Sequence, residues 1–180
     1  MVTGKACEGV RMRTKAWWVF VTIALAIPVV ARGQDVIGIP LGETPPAVTI
    51  EDLDGNPVPL SRWVGKKPVI IEFWATWCPI CAELLPRMEA ARKKYGDRAE
   101  FLVIAVAVNQ STNTVRRHLA RHPMPFTFLW DVNGNAVRAF QAPATSYVAV
   151  LDAKGKVVYT GVGAEQDLDA ALARALVPAR

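Results

Sequence analysis

The fold of this chain is decided by the stretch Val69-Ile70-Ile71-Glu72-Phe73-Trp74-Ala75-Thr76-Trp77-Cys78-Pro79-Ile80-Cys81. Its first half is almost entirely apolar, which is typical of a strand buried on both faces in the middle of a sheet. The residues that follow, up to Tyr95, are rich in good helix formers. Pro79 then falls in the first helical turn, where its missing N–H costs little. The pattern predicts a buried strand, a short loop, and a helix that begins at the cysteines.

Cys78 and Cys81 have the spacing of a redox-active dithiol, whereas a zinc site usually needs a second pair of cysteines or histidines in register. The only other cysteine is Cys7, so the chain has no second pair. Free N–H groups and the positive end of the helix dipole favour a thiolate at Cys78. We therefore expect Cys78 to be the nucleophile and Cys81, one turn further along, to be the more buried resolving thiol. A purely structural disulfide is the alternative, but closing so short a loop gains little stability.

The run Phe73–Cys81 resembles the active-site signature of the thioredoxin superfamily, in particular that of the exported TlpA/ResA/DsbE-like (redoxin) thiol-disulfide oxidoreductases. Residues 41–61, with an Asp54-Gly55 turn, resemble the N-terminal hairpin of that family. The resemblance implies an α/β, thioredoxin-like fold, with a central mixed β-sheet flanked by helices and an N-terminal β-hairpin extension. It also implies an enzyme, a protein-disulfide oxidoreductase with no cofactor or metal beyond its own redox-active disulfide.

Further elements follow in the order that the resemblance implies. An apolar run predicts a strand over residues 100–108, and Ser111 or Thr112 can cap the helix after it. Near the C-terminus we expect a strand over 145–151 and a closing helix over 166–176, with leucines at helical spacing.

Glu72 is the one charged residue in the predicted strand, and it stands six positions before Cys78. Thioredoxins have a buried acidic residue at the matching position. Burial raises the pKa of a carboxyl group, which would suit Glu72 to move a proton to or from Cys81. The alternative is a carboxylate that reaches solvent at the end of the strand. Three neighbours are expected to form the environment of the disulfide: Trp77, Pro79 and Ile80.

The loop that faces the cysteines departs from the family pattern. Relatives have a cis-proline there, but counting from Phe140 and from Asp152 places Ser146 at that position, directly after Thr145. A cis bond before serine costs about 3 kcal/mol, so a trans bond is expected. A different alignment, with a short insertion, would let Pro143 supply the cis bond. Thr145 and Ser146 are still expected to offer backbone groups to a substrate strand.

Residues 1–33 are predicted to be a signal peptide or an N-terminal membrane anchor, and residues 34–180 the thioredoxin-like domain. The chain has 21 Lys and Arg against 16 Asp and Glu, for a net charge of +5. Most of this surplus precedes the apolar run Ala16–Ala31, which as a helix is about 24 Å long, short of the roughly 30 Å hydrocarbon core. A small-residue site at Ala31-Arg32-Gly33 follows. These features favour a cleaved signal.

Export and the dithiol together predict a periplasmic or extracytoplasmic enzyme, with an inner-membrane anchor as the alternative to cleavage. By resemblance it reduces disulfides of envelope proteins, as in cytochrome c maturation, and a membrane electron donor restores its dithiol. We expect no nucleic-acid binding, because the charges of the mature domain nearly balance. We also expect a monomer. Two alternatives stay open. One is a thioredoxin-like module that binds Cu(I) through both thiolates. The other is a peroxiredoxin-like peroxidase, which would have Thr and Pro where Ala75 and Ile71 stand.

Overall fold

The computed structural model describes residues 37–177, together with positions 1 and 4. The predicted leader, residues 1–33, lies outside the described residues, apart from those two positions. Residues 37–177 fall within one compact unit, Gly33–Arg180. In that described range the strands and α-helices, in chain order, are β1 (Thr49–Glu51), β2 (Pro57–Pro59), β3 (Val69–Trp74), α1 (Pro79–Tyr95), β4 (Glu100–Val106), α2 (Thr112–Arg121), β5 (Thr127–Asp131), α3 (Asn135–Ala139), β6 (Tyr147–Leu151), β7 (Val157–Gly161) and α4 (Leu168–Ala175).

The strands form one mixed sheet in the order β2-β1-β5-β4-β3-β6-β7. Strands β3, β4 and β5 are parallel, and β6 runs antiparallel to β3. The hairpin of β1 and β2 joins this sheet through a Glu51–Trp130 pair with β5. The predicted thioredoxin-like α/β fold with an N-terminal hairpin is therefore confirmed.

Strand β3 lies in the middle of the molecule and is buried at every position. Its alternate side chains enter two cores, one on each face of the sheet, because successive residues of a strand point to opposite faces. Ile70 packs with Leu84 and Met88 of α1. Phe73 packs on the opposite face, 5.7 Å from the ring centroids of both Phe140 and Tyr147. Burial on both sides explains the continuous apolar run that the sequence shows here.

The segment before β1 is tied to the sheet by backbone hydrogen bonds. The Ile39 N–H donates to the Phe140 carbonyl at 3.0 Å, and the Gly42 N–H donates to that of Val157 at 2.7 Å. Gly38 has a φ of +79° and lies directly on Tyr147, whose hydroxyl a Cβ at position 38 would overlap. Glycine is therefore required at position 38 both by the backbone conformation and by the close contact.

Helix α1 begins at the cysteines and carries Pro86 in its interior. A proline there cannot donate the hydrogen bond to the carbonyl one turn earlier, so the helix lacks one backbone hydrogen bond. Beyond Pro86 the helix is joined to α4, because Lys94 and Tyr95 both donate to Asp169, at 2.6 and 2.8 Å.

None of the helices in the described part of the chain combines the length and the apolar character needed to cross a bilayer.

Candidate active site

The two cysteines form a disulfide at the beginning of α1. Cys78 is the N-cap residue of the helix, and its Sγ accepts a hydrogen bond from the Cys81 N–H at 3.1 Å. The Cys78 N–H donates to the Ala75 carbonyl at 3.1 Å, which closes the turn between β3 and α1. Cys78 is 6% exposed and Cys81 1%. The sulfur of Cys78 therefore lies where the unpaired N–H groups of the helix N-terminus can stabilise negative charge.

The loop before the cysteines is held by a residue that the sequence analysis did not single out, Gln110. Its Oε1 accepts hydrogen bonds from both the N–H and the hydroxyl of Thr76, each at 2.9 Å. Its Nε2 donates to the Val106 carbonyl at 2.7 Å. One side chain thus joins the cysteine loop to the end of β4.

The strand predicted over residues 100–108 is shorter in the structure, and Gln110 is part of the reason. β4 stops at Val106, since Gln110 takes the Val106 carbonyl and Asn109 adopts a φ of +53°. The turned-out Val108 carbonyl accepts a hydrogen bond from the Trp77 indole at 2.7 Å. The β4–α2 loop is therefore part of the site.

Apolar side chains surround the buried disulfide. Trp77 and Ile80, next to the cysteines in sequence, are 46% and 45% exposed. Val108 is 54% exposed and lies beside Trp77 through the indole hydrogen bond. Exposed apolar groups grouped in this way mark a surface that contacts another molecule.

Glu72 is buried, with 2% of its surface exposed, so the alternative of a solvent-reaching carboxylate is wrong. It lies between Val103 of β4 and Val148 of β6, and one of its oxygens has no hydrogen-bond partner within the described residues. Burial raises the pKa of this carboxyl to about 8. Glu72 shares a face of β3 with Ile70, the face that α1 covers.

The loop that carries Thr145 and Ser146 lies alongside the cysteine loop. Tyr147 of β6 pairs with Phe73 of β3, and the Ser146 N–H donates to the Phe73 carbonyl at 2.8 Å. Thr145 directly precedes Ser146, so this loop adjoins the end of β3, from which the chain continues to the cysteines. β6 begins at Tyr147 and not at Thr145 as predicted, because Ser146 has a left-handed φ of +63° that interrupts the strand.

No cis peptide bond occurs within residues 37–177. The bond before Ser146 is therefore trans, and so is the bond before Pro143. Pro143 therefore does not supply the cis bond that the alternative alignment required.

Ser146 is 1% exposed, and its N–H, carbonyl and hydroxyl oxygen each have a hydrogen-bond partner. Its hydroxyl accepts from the Gly163 N–H at 3.2 Å, and its carbonyl accepts from Gln166 Nε2 at 3.0 Å. The same Nε2 donates to the Gly163 carbonyl at 2.7 Å, and the Tyr159 hydroxyl donates to Gln166 Oε1 at 3.1 Å. Gln166 was predicted to open the closing helix, but α4 begins at Leu168 because Asp167 caps it, with its side chain accepting from the Ala170 N–H at 2.9 Å.

Nothing in the local sequence marks Gln110 or Gln166 as part of the site. Each is a single amide in a polar loop, and each reaches a partner that is distant in the chain. The one signal that could have found Gln110 is its place in the short polar segment between an apolar strand and the next helix. Within residues 37–177 no group of three or more His, Cys, Asp or Glu side chains could hold a metal ion.

Comparisons with known proteins agree with this geometry. Residues 40–176 match the model of the Redoxin family. The chain is 34% identical over 143 residues to the thioredoxin-like protein YneN of Bacillus subtilis, an alignment that covers 74% of this chain and 81% of that one. It is 32% identical over 129 residues to the thiol-disulfide oxidoreductase ResA of Halalkalibacterium halodurans, covering 69% and 71%.

A crystal structure of a Chlorobium tepidum protein, described as a thiol:disulfide interchange protein DsbE, superposes with a TM-score of 0.68. It is 25% identical, and the match covers 77% of this chain and 99% of the other. Fold, disulfide and relatives agree, and the chain belongs to the Redoxin family, as a thiol-disulfide oxidoreductase of thioredoxin-like fold.

Proposed function

We propose that this enzyme is exported and reduces disulfides of envelope proteins, in a role such as cytochrome c maturation. The observation that carries the proposal is the disulfide itself, which lies at the start of α1 among exposed apolar side chains. Its substrates are proteins that bear disulfides. The apolar surface around Trp77 suits an unfolded or extended protein segment better than a small charged disulfide.

In the proposed cycle the reduced enzyme begins with Cys78 as a thiolate. Its sulfur attacks one sulfur of the substrate disulfide, forms a mixed disulfide, and releases the other substrate sulfur as a thiolate. Cys81 then attacks Cys78 Sγ, which releases the second substrate thiolate and closes the Cys78–Cys81 bond. Two electrons pass to the substrate, and no group besides the cysteine pair is needed to carry them.

Glu72 takes the proton of this cycle in our proposal. In the oxidised enzyme a carboxyl with a pKa of about 8 is protonated at neutral pH. When a donor reduces the disulfide, Cys81 is the leaving thiolate, and Glu72 can give it that proton. In the reverse step Glu72 accepts the proton of Cys81 before Cys81 attacks Cys78. Placement of Glu72 on the α1 face of β3 supports this role.

The setting of the enzyme is also part of the proposal. Residues 1–33 would export the domain or anchor it to the inner membrane. The enzyme would act as a monomer, and a membrane protein would return electrons to its disulfide. Cell fractionation with N-terminal sequencing tests this. A mature chain that begins at Gln34 in the extracytoplasmic fraction is expected, and a cytoplasmic chain would contradict the proposal.

Insulin reduction tests the chemistry. The purified enzyme, recycled by dithiothreitol, should accelerate the reduction of insulin, and Cys78→Ser should abolish the acceleration. Cys81→Ser should instead trap a mixed disulfide with the substrate, because the resolving thiol is missing. Cys7→Ser is the matched control and should behave as the unchanged chain. Turnover that survives Cys78→Ser would overturn the proposal.

The direction of electron flow is tested by the equilibrium potential of the Cys78–Cys81 couple against glutathione. A reductant should lie near thioredoxin, at about −270 mV. A value near about −120 mV, the potential of a strong disulfide oxidant, would mean that the enzyme forms disulfides in its substrates.

A further inference from the structure

We propose that Gln166 is a positioning residue for disulfide exchange, which through Ser146 and Gly163 fixes the loop backbone that a protein substrate contacts. This inference rests on the proposed function and names a device that the site uses to hold its substrate. Gln166 lies between β7 and α4, outside the cysteine loop, and acts on Thr145 only through its neighbours.

Ser146 needs such a device because its own chemistry does not fix its conformation. A φ of +63° is uncommon for a residue with a side chain, and it persists only where the surroundings impose it. A proline could not take this place unchanged. Its ring would hold φ near −65°, and it would lack the N–H that donates to Phe73. Hydrogen bonds therefore do here what a ring would do covalently.

Gln166 is suited to that task because all of its hydrogen-bonding groups on the side chain are engaged. The amide nitrogen donates to the Ser146 and Gly163 carbonyls, at 3.0 and 2.7 Å, and the amide oxygen accepts from Tyr159. The side chain is 5% exposed, so water cannot replace these partners freely. Gly161 leaves the necessary room, since a Cβ there would overlap the Tyr159 hydroxyl and come within 2.7 Å of Gln166 Oε1.

The loop that this network holds has free backbone groups at the right place. Within residues 37–177 neither the N–H nor the carbonyl of Thr145 has a hydrogen-bond partner. Thr145 directly precedes Ser146, whose N–H donates to the carbonyl of Phe73 near the end of β3, five positions before Cys78. Unpaired backbone groups next to a sheet accept an extended peptide as an added strand. Without the Gln166 side chain, the buried carbonyl of Ser146 would have no hydrogen-bond partner, and the loop would shift so that this carbonyl could find one.

The test compares two disulfides of different size in the full-length chain. Insulin presents a polypeptide strand, whereas 5,5′-dithiobis(2-nitrobenzoic acid) presents only a disulfide. Gln166→Ala should raise KM for insulin about tenfold, the factor expected for one lost hydrogen bond, and leave the rate with the small disulfide within about twofold. Gln166→Met should act like Gln166→Ala, since methionine is of similar length but has no group that donates to either carbonyl.

Tyr95→Phe is the matched control, because it also removes a side-chain hydrogen bond, the part-buried one to Asp169, which involves no residue of the loop. It should lower the melting temperature to a similar extent and leave both substrates unaffected. The inference is overturned if Gln166→Ala changes both substrates equally or neither, or if Tyr95→Phe gives the same insulin defect. If the unchanged enzyme fails on insulin, the proposed function fails first, and the inference fails with it.

Discussion

Two loops adjoin the end of β3, and they are held in place in different ways. The cysteine loop, Ala75–Cys81, is fixed largely by its own sequence, through the buried strand before it, the proline in the first helical turn and the cysteine at the N-cap. The facing loop, Ala142–Ser146, is fixed by distant residues, Gly163 and Gln166.

This difference shows which parts of the site depend on local physics. The cysteine loop follows from propensity and capping, so it resembles the family closely. The facing loop has Ser146 where the family resemblance leads us to expect a proline, and hydrogen bonds from Gly163 and Gln166 hold it. A site of this kind can change its substrate-facing side while its reacting side stays the same.

The largest expected effect falls on the cysteine side, at Glu72. The folded state holds the Glu72 proton to about pH 8, whereas the unfolded chain loses it near 4.5. The free energy of unfolding should therefore fall as the pH rises from about 4.5 to 8 and level off above, with a total on the order of 5 kcal/mol. Urea unfolding of the oxidised chain should show this fall, and Glu72→Gln should remove most of it.

Glu100→Gln is the control for that experiment, since Glu100 is partly exposed and paired with Lys67 at 2.7 Å. The free energy of unfolding of the Glu100→Gln variant should fall with pH in the same way as that of the unchanged chain. A Glu72→Gln variant that keeps the full fall would mean that the buried carboxyl is not the group that titrates.

A proline at position 146 would test the facing loop directly. Ser146→Pro removes the N–H that donates to Phe73 and forces a change of φ, so we expect a loss of about 2 kcal/mol in the free energy of unfolding. Ser146→Gly keeps both the N–H and the positive φ, and should cost less. If Ser146→Pro is as stable as the unchanged chain, the loop can adopt the geometry of its relatives, and the contrast between the two loops disappears.

The smallest effect is expected at Gln110, which braces the cysteine loop from outside. Gln110→Ala should cost about 1 kcal/mol by thermal or urea unfolding, because three partly exposed hydrogen bonds are replaced by bonds to water. Thr76→Val removes only one of them and should cost less. A double-mutant cycle that shows no coupling between positions 76 and 110 would mean that the cysteine loop needs no help from β4.

Much of this molecule could be predicted from its sequence. The strand β3, the N-cap at Cys78 and the helix after it follow from local patterns, and the burial of Glu72 follows from its place in an apolar strand. The trans bond before Ser146 follows from the chemistry of serine. Gln110 and Gln166 could not be predicted, because their roles depend on backbone carbonyls brought close by the fold. The left-handed conformation of Ser146 likewise depends on contacts beyond its own neighbourhood.

The backbone hydrogen bond that α1 lacks at Pro86 divides that helix into two parts. The two turns that carry the cysteines lie on one side of the break, and the turns joined to α4 through Asp169 lie on the other. A helix bends most easily where a hydrogen bond is missing. We therefore expect the turns before Pro86 to adjust more easily than the turns packed on α4 when the disulfide opens and closes.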